Sequence, residues 1–230
     1  MIKTLASGSN ANCTFITDGI TPLLLDAGLP VKRLRKDLDF GLSTVAGVLV
    51  THSHNDHSRG VEGLLGAGID CHMRSETAEA LNIVGHHRLH IVAPKTPFSV
   101  GSWRFIAFDT PHDVPNLGYV LSSGDERVLY LTDTPFCPVR IPGLTRILIE
   151  TNYDLSILKE NVKAGKVDPA VKHRVLHNHL SLSTAKGFFR ANDLSRVREI
   201  VLLHLSDDNS SAVQFKREVA ALTGKLVRIA

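Results

Sequence analysis

The chain has 230 residues, of which 43% are hydrophobic, with a formal net charge of +3 and a sequence pI of about 8.8. No segment approaches the length of a membrane span, and the first residues carry no apolar run of signal-peptide length. The mildly basic balance permits a polyanionic partner, although an ordinary soluble surface explains it equally well. No compositional break divides the chain, so we predict a single domain over residues 1–230.

The three cysteines, Cys13, Cys71 and Cys137, are not spaced like a metal motif, and an odd number cannot all pair within one chain. We therefore expect reduced thiols in a cytoplasmic protein.

The first third predicts short strands separated by turn residues, and these strands are Ile2–Ala6, Cys13–Thr17 and Leu23–Asp26. A helix is predicted over VKRLRKDL, because Val31, Leu34 and Leu38 recur at helical spacing after Pro30. A buried strand over Val45–Val50 then runs into the polar loop THSHNDHSRG.

The remainder predicts further strands and helices. The strands are Trp103–Phe108, Tyr119–Leu121, Val128–Leu131, Ile147–Glu150, Glu199–Leu205 and Leu226–Ile229. The helices are Asp154–Val162, Ser183–Ala191 and the amphipathic Ser211–Leu222. This order predicts an α+β fold in which two sheets pack face to face with helices outside.

The segment Thr51-His52-Ser53-His54-Asn55-Asp56-His57 predicts a metal site. It places three imidazoles and a carboxylate within six residues, directly after an apolar strand. Buried polar groups need partners, and clustered histidines repel one another when protonated. A divalent transition metal resolves both problems, because neutral imidazole and carboxylate are good ligands. A solvated polar loop is the alternative.

Further candidate ligands follow predicted strands, where a sheet can hold a site rigidly. They are His112 in TPHDVPN, Asp133 in YLTDT and His204 in LLHLS. Each is weak alone, but together with the histidine segment they complete two metal sites.

These motifs resemble those of the metallo-β-lactamase superfamily. HSHNDH matches its H-x-H-x-D-H signature, and His112, Asp133 and His204 match its later motifs in order. SGSNANCTFI, LLLDAG, TNYD…HNHLS and the final HLS-x-x-N motif are similar to those of the small single-domain YycJ/WalJ-type exonuclease branch. The resemblance implies the αββα sandwich with two mixed sheets. Ala11 and Asn178 stand where glycines are expected, and Asp208 stands where asparagine is expected.

The same resemblance implies a dinuclear centre that uses Zn²⁺ or Mn²⁺. One ion would be held by His52, His54 and His112, and the other by Asp56, His57 and His204, with Asp133 bridging. Two such ions suit phosphoryl transfer, with a bridging hydroxide as nucleophile, because they lower the pKa of bound water to roughly 7.

Supporting roles also follow from the resemblance or from position. Asp26 would orient a ligand histidine, although a turn aspartate explains it equally well. His179 would act as general acid, with Glu150 as its orienting carboxylate and Asp56 also in the catalytic set. The alternative for Glu150 is a buried strand-end acid.

Substrate contacts are less well marked. Ser7, Ser9 and Asn12 are predicted to offer amides and hydroxyls to a phosphate, although a tight turn is an equal reading. Arg33, Arg35 and Lys36 are candidates for a nucleic-acid strand, although a solvated helix face is more common. The histidines outside the motifs are expected on the surface, and these are His72, His86, His87 and His90.

We therefore predict a metal-dependent phosphodiesterase, foremost a 5′ exonuclease acting on DNA. A phosphodiesterase for a cyclic nucleotide is the alternative, because the chemistry is identical. A glyoxalase II-like thioesterase and a metal-stabilised binding module without turnover are less favoured readings. The late histidines His179 and His204 argue against the thioesterase, and the complete ligand set argues against the binding module.

Overall fold

The computed structural model describes residues 1–39 and 41–230, and its strands belong to two sheets of six and seven strands. Two structural units can be separated. The first comprises Met1–Asp109 and Val114–Gly124, and the second comprises Thr110–Asp113 and Asp125–Ala230. Each unit has a hydrophobic cluster of its own. The single domain over 1–230 stays a prediction.

The chain up to residue 124 contains mostly short elements. Its strands are Ile2–Ala6 (β1), Cys13–Thr17 (β2), Pro22–Leu25 (β3), Gly47–Leu49 (β4), Cys71–Met73 (β5), Leu89–Ile91 (β6), Phe98–Val100 (β7), Trp103–Thr110 (β8) and Asn116–Ser123 (β9). Its helices are Val31–Asp37 (α1), Asn55–Ser58 (α2), Val61–Gly66 (α3) and Ser75–Ala80 (α4), with a 3₁₀ helix at Gly41–Thr44.

The six-stranded sheet has the order β1-β2-β3-β4-β5-β6 and is mixed. Strands β1, β2 and β3 pair antiparallel, whereas β3 to β6 pair parallel. Strand β4 is buried along its whole length, as expected for parallel strands covered on both faces. The polar loop that carries the histidines therefore leaves the sheet from an interior strand.

The second unit is built on parallel strands. They are Glu126–Leu131 (β10), Arg146–Glu150 (β11), Glu199–Leu203 (β12) and Leu226–Ile229 (β13), adjacent in that order. The helices are Leu155–Lys163 (α5), Pro169–Asn178 (α6), Leu182–Ala191 (α7) and Ala212–Thr223 (α8). Because parallel strands end at one edge, residues that follow β10, β11 and β12 lie close together.

Side-chain caps define where the four helices of this unit begin. Asp154, Asp168, Ser181 and Ser211 each accept a backbone N–H of the first turn of α5, α6, α7 and α8, respectively. These bonds satisfy donors that a helix start leaves unpaired.

None of the helices in residues 1–39 and 41–230 is long and apolar enough to cross a bilayer.

The α+β class and the mixed sheets that the sequence predicts are confirmed. The predicted strands and helices all occur, with ends that differ by up to three residues. The prediction of a polar loop over THSHNDHSRG is wrong in part, because Asn55–Ser58 form a helical turn. The elements β5, β6, β7, α3, α4 and α6 lay outside the predictions.

His72 corrects the expectation of a surface histidine, since it is only 7% exposed. It lies in β5 opposite His90 of β6, and its ring stacks on His90 at 4.7 Å and on Phe98 at 5.7 Å. Burial and the neighbouring His90 lower its pKa from 6.5 to about 4, and Asp70 opposes the shift. His72 is therefore neutral in the folded protein at neutral pH.

We predict that His72→Phe makes the protein more resistant to acid. The folded pKa lies below the unfolded value, so the stability from the neutral ring is complete above pH 6.5 and is lost as the pH falls towards 4. The difference between these two pKa values corresponds to a loss of roughly 3 kcal/mol in the free energy of unfolding over that window. Urea unfolding between pH 7.5 and 4 measures the free energy of unfolding of both proteins.

The exposed His87 supplies the matched control, and His87→Phe should keep the pH dependence of the unmodified protein. The same pH dependence in His72→Phe as in the unmodified protein would show that His72 is not the group that titrates.

Candidate metal centre

Asp26 directly follows β3 and contacts the histidine segment of the first unit. It is fully buried, and its backbone is in the left-handed region at φ 60°, which few non-glycine residues adopt. Its Oδ1 accepts the backbone N–H and the hydroxyl of Thr51 at 2.8 and 2.9 Å. Its Oδ2 lies 2.7 Å from His57 Nδ1. This carboxylate therefore fixes the orientation of the His57 ring, as in metal sites whose ligand histidines are backed by an acid.

Three imidazoles of this segment lie close together. The ring centroids of His52 and His54 are 4.7 Å apart, and those of His52 and His57 are 4.3 Å apart. Both His52 and His57 are fully buried. A divalent transition metal would suit such a cluster, because imidazole nitrogen is a good ligand for it.

Asn12 contributes to the same cluster. Its Nδ2 lies 3.1 Å from Asp56 Oδ2 and 2.8 Å from His57 Nε2, and its backbone N–H donates to Asp56 O at 2.7 Å. Gly28 donates to Asn12 O, and a Cβ at Gly28 would lie 1.8 Å from Asp56 O. Only glycine fits there, so Gly28 is required for this close approach.

In the second unit, Asp133, Glu150 and His204 stand at the carboxyl ends of β10, β11 and β12. Asp133 and His204 have φ values of 49° and 52°, so both backbones are in the left-handed region. Asp133 Oδ1 lies 2.8 Å from His204 Nδ1. Together with His179, these residues offer ligand atoms that all lie within 4.8 Å of one another.

The fully buried Glu150 organises this group. Its Oε1 lies 2.6 Å from His179 Nδ1. Its Oε2 accepts the backbone N–H groups of Thr134 and Leu180 at 3.2 and 3.1 Å. One carboxylate therefore positions both the imidazole and the two chain segments beside it.

The protonation of His179 follows from these contacts. Burial lowers its pKa, but the Glu150 and Asp133 carboxylates outweigh burial and raise the pKa to about 10. The same two carboxylates raise the pKa of His204 against the effect of burial. A divalent cation at the site would lower both values, because it repels a second positive charge.

The donor set of each unit fits a divalent transition metal. His112, whose side chain is 2% exposed, belongs to the second unit, and its ring centroid is 6.2 Å from that of His179. The first unit offers three histidines and Asp56. Imidazole nitrogen and carboxylate oxygen without thiolate suit Zn²⁺ and Mn²⁺.

The candidate substrate contacts lie in the first unit. Ser7 is half-buried, Ser9 is exposed and Asn12 is 4% exposed. Asn12 contacts Asp56 and His57 instead of facing solvent, a role that the sequence analysis missed. Arg33 pairs with Asp37 on α1 at 2.8 Å, whereas Arg35 and Lys36 are exposed.

A family model for the β-lactamase superfamily domain matches residues 21–205, so the chain belongs to the β-lactamase superfamily. Exodeoxyribonuclease WalJ of Streptococcus pneumoniae serotype 2 (strain D39) is 29% identical over an alignment of 224 residues that covers 90% of this chain and 81% of WalJ. Exodeoxyribonuclease YycJ of Bacillus anthracis is 27% identical over an alignment of 223 residues that covers 90% of this chain and 82% of YycJ.

Solved structures confirm the metallo-β-lactamase fold. The metallo-β-lactamase fold protein YhfI of Bacillus subtilis superposes with a TM-score of 0.78 at 16% identity, covering 100% of this chain and 95% of YhfI. A diphosphatase of the PhnP family gives a TM-score of 0.68 at 15% identity, covering 100% of this chain and 93% of the diphosphatase. The short form of human tRNase Z gives a TM-score of 0.65 at 17% identity, covering 100% of this chain and 95% of the tRNase Z.

We predict that Asp26→Asn weakens metal binding while the fold is kept. The amide oxygen can still accept from Thr51, but an amide N–H facing His57 Nδ1 favours the tautomer with the proton on Nε2. That tautomer leaves no lone pair on Nε2 for a metal. Loss of such a supporting partner typically costs about 10- to 100-fold in metal affinity. Competition with a chelator measures the affinity.

Asp18→Asn is the matched control in the same unit, because Asp18 accepts hydrogen bonds from Ser102 and Ser123. Its metal affinity should equal that of the unmodified protein. Unchanged metal affinity in Asp26→Asn would show that Asp26 does not govern the His57 tautomer.

Proposed function

We propose that this protein is a metal-dependent exodeoxyribonuclease that removes nucleotides from 5′ ends of DNA. The observation that carries this proposal is the pairing of the buried Glu150 with the partly buried His179 beside Asp133 and His204, which provides an oriented proton donor next to candidate metal ligands. The exodeoxyribonuclease relatives, which match 90% of the chain, support DNA as the substrate.

The proposed ligands are those that the sequence motifs indicate. His52, His54 and His112 would hold one divalent ion, and Asp56, His57 and His204 a second, with Asp133 shared. Support comes from the nitrogen and oxygen donors of each unit and from the carboxylates that fix their rings. Bound Zn²⁺ or Mn²⁺ would activate water and stabilise charge on the phosphoryl oxygens.

His179 is proposed as the general acid. Glu150 holds Nδ1, so Nε2 is the ring atom left to face a leaving oxygen, and the imidazole is only 19% exposed. Leu180 and Ser181 follow directly, and Ser181 caps α7, which anchors the backbone on the C-terminal side of His179. A protonated His179 would donate its proton as the ester bond breaks, and Glu150 would stabilise the imidazolium until then.

The proposed function predicts metal-dependent loss of nucleotides from one end of a labelled DNA strand. The assay compares 5′- and 3′-labelled DNA, single- and double-stranded, with RNA, a cyclic nucleotide and a thioester, each with Zn²⁺ or Mn²⁺. Mononucleotides should appear first from the 5′ label, and elemental analysis should find close to two ions per chain. Asp133→Ala should lose activity and metal together, because Asp133 is proposed to bridge.

Val213→Ala is the control, because Val213 is 79% exposed on α8. Hydrolysis of the cyclic nucleotide or the thioester without hydrolysis of DNA would refute the nuclease proposal and favour the corresponding alternative. A metal content near zero after reconstitution, or full activity in Asp133→Ala, would refute the dinuclear centre.

We predict that His179→Ala lowers the rate on DNA by about 10²- to 10⁴-fold, the usual contribution of a general acid. The rate on a nitrophenyl phosphodiester should fall much less, because its leaving group needs little protonation. Both rates and the metal content are measured on the same variant.

His177→Ala is the control, since His177 is exposed near the end of α6, two residues before His179. Equal losses on the two substrates, or loss of a metal ion from His179→Ala, would reject the general-acid role.

A further inference from the structure

A pocket of about 390 Å³ opens in the second unit between residues 136–140 and helix α7. Its wall includes Phe136, Cys137 and Arg140 on one side, and Thr184, Phe188 and Asn192 on the other. This volume is at the lower end of the range for small-molecule sites. It is large enough for a nucleoside-sized group.

The pocket is tied to the catalytic side chains through Glu150. The Oε2 atom of Glu150 accepts N–H groups from Thr134, just before the first wall, and from Leu180, just before α7. Thr134 Oγ1 also donates to Phe136 O at 2.9 Å. Both walls therefore begin within a few residues of Asp133 and His179, and one carboxylate sets their spacing.

The far end of the pocket is held in the same manner. Asn192 accepts the N–H of Ile141 at 3.0 Å and donates to Phe188 O at 2.9 Å. Residues 136–140 are thus held by hydrogen bonds at both ends. The backbone that carries Phe136 is therefore fixed, although the Phe136 side chain is 48% exposed.

The chemistry of the walls suits an unpaired nucleobase with its phosphate. An exposed aromatic face stacks on any base, and a nearby arginine attracts the sugar–phosphate backbone. Phe136 offers the face, and the exposed Arg140 offers the charge. An apolar peptide would use the aromatic surface but would leave Arg140 without an anionic partner.

We propose that this pocket binds an unpaired nucleobase of the DNA strand next to the cleaved phosphodiester, with the base stacked on Phe136 and Arg140 near a flanking phosphate. The proposal rests on the proposed nuclease function. In this proposal Phe136 positions the single-stranded end of the DNA. No preference for one base is expected, because every base has a face that can stack.

Cys137 provides a reporter that does not depend on catalysis. It lines the pocket and is partly exposed, whereas Cys13 and Cys71 are buried. The rate of Cys137 alkylation in the metal-loaded protein is measured by mass spectrometry, with and without a single-stranded phosphorothioate oligonucleotide. The oligonucleotide should slow alkylation, and an abasic oligonucleotide of equal length and charge should protect much less.

Kinetics supply the second measurement. Phe136→Ala should raise KM for single-stranded DNA by about 5- to 150-fold, the range that corresponds to stacking of one base. Its kcat and metal content should change little, and Phe136→Trp should restore KM. Val213→Ala, an exposed apolar truncation on α8, should match the unmodified protein.

The outcomes separate the two proposals. If the unmodified protein degrades no DNA, the proposed function fails, while base-dependent protection of Cys137 would still support the pocket. Equal protection by the abasic strand, or protection by an apolar peptide alone, overturns base binding. An unchanged KM in folded Phe136→Ala overturns it as well, and if that variant does not fold, the protection of the unmodified protein decides.

Discussion

A buried carboxylate that holds an imidazole by its Nδ1 atom is the interaction on which the candidate metal ligands of each unit depend. Asp26 does this for His57 in the first unit, and Glu150 does it for His179 in the second. Each carboxylate also accepts backbone N–H groups, from Thr51 or from Thr134 and Leu180. A buried charge is tolerated only with such partners. The contacts that make these acids stable inside the protein are therefore the contacts that orient the rings.

The backbone at the same places is strained in a consistent way. Asp26, Asp133 and His204 follow strands and adopt positive φ values without being glycine. Such residues persist only where the surrounding structure over-determines them, and they concentrate at functional sites. Asp133 and His204, which carry ligand-type side chains, therefore have a backbone conformation that non-glycine residues rarely adopt.

Much of this fold could be predicted from the sequence, because strong patterns mark its main elements. The apolar run LLL before Asp26 is short and follows turn residues, which indicates a buried strand, and the apolar residues of α8 recur at helical spacing. Strands β5, β6 and β7 have three residues each, too few for alternation to be visible. Helix α6 was missed although Asp168 followed by Pro169 is a helix-start signal. His72 was placed at the surface because one histidine in a short strand gives no sign of burial on both faces.

The candidate site was predictable in its residue types and less so in its contacts. Clustered histidines and carboxylates predict metal chemistry because few other environments tolerate them. The pairing of Asn12 with Asp56 and His57 depends instead on a backbone approach between distant segments, which Gly28 permits and no local pattern reveals. Glu150 illustrates the same limit, since one strand-end acid reaches His179, Thr134 and Leu180 only after the parallel strands align. Its three contacts couple the proposed proton donor to the walls of the pocket beside Phe136. We therefore expect a change in that carboxylate to affect the proposed proton donation and the proposed base binding together, whereas a change at Phe136 should affect base binding alone.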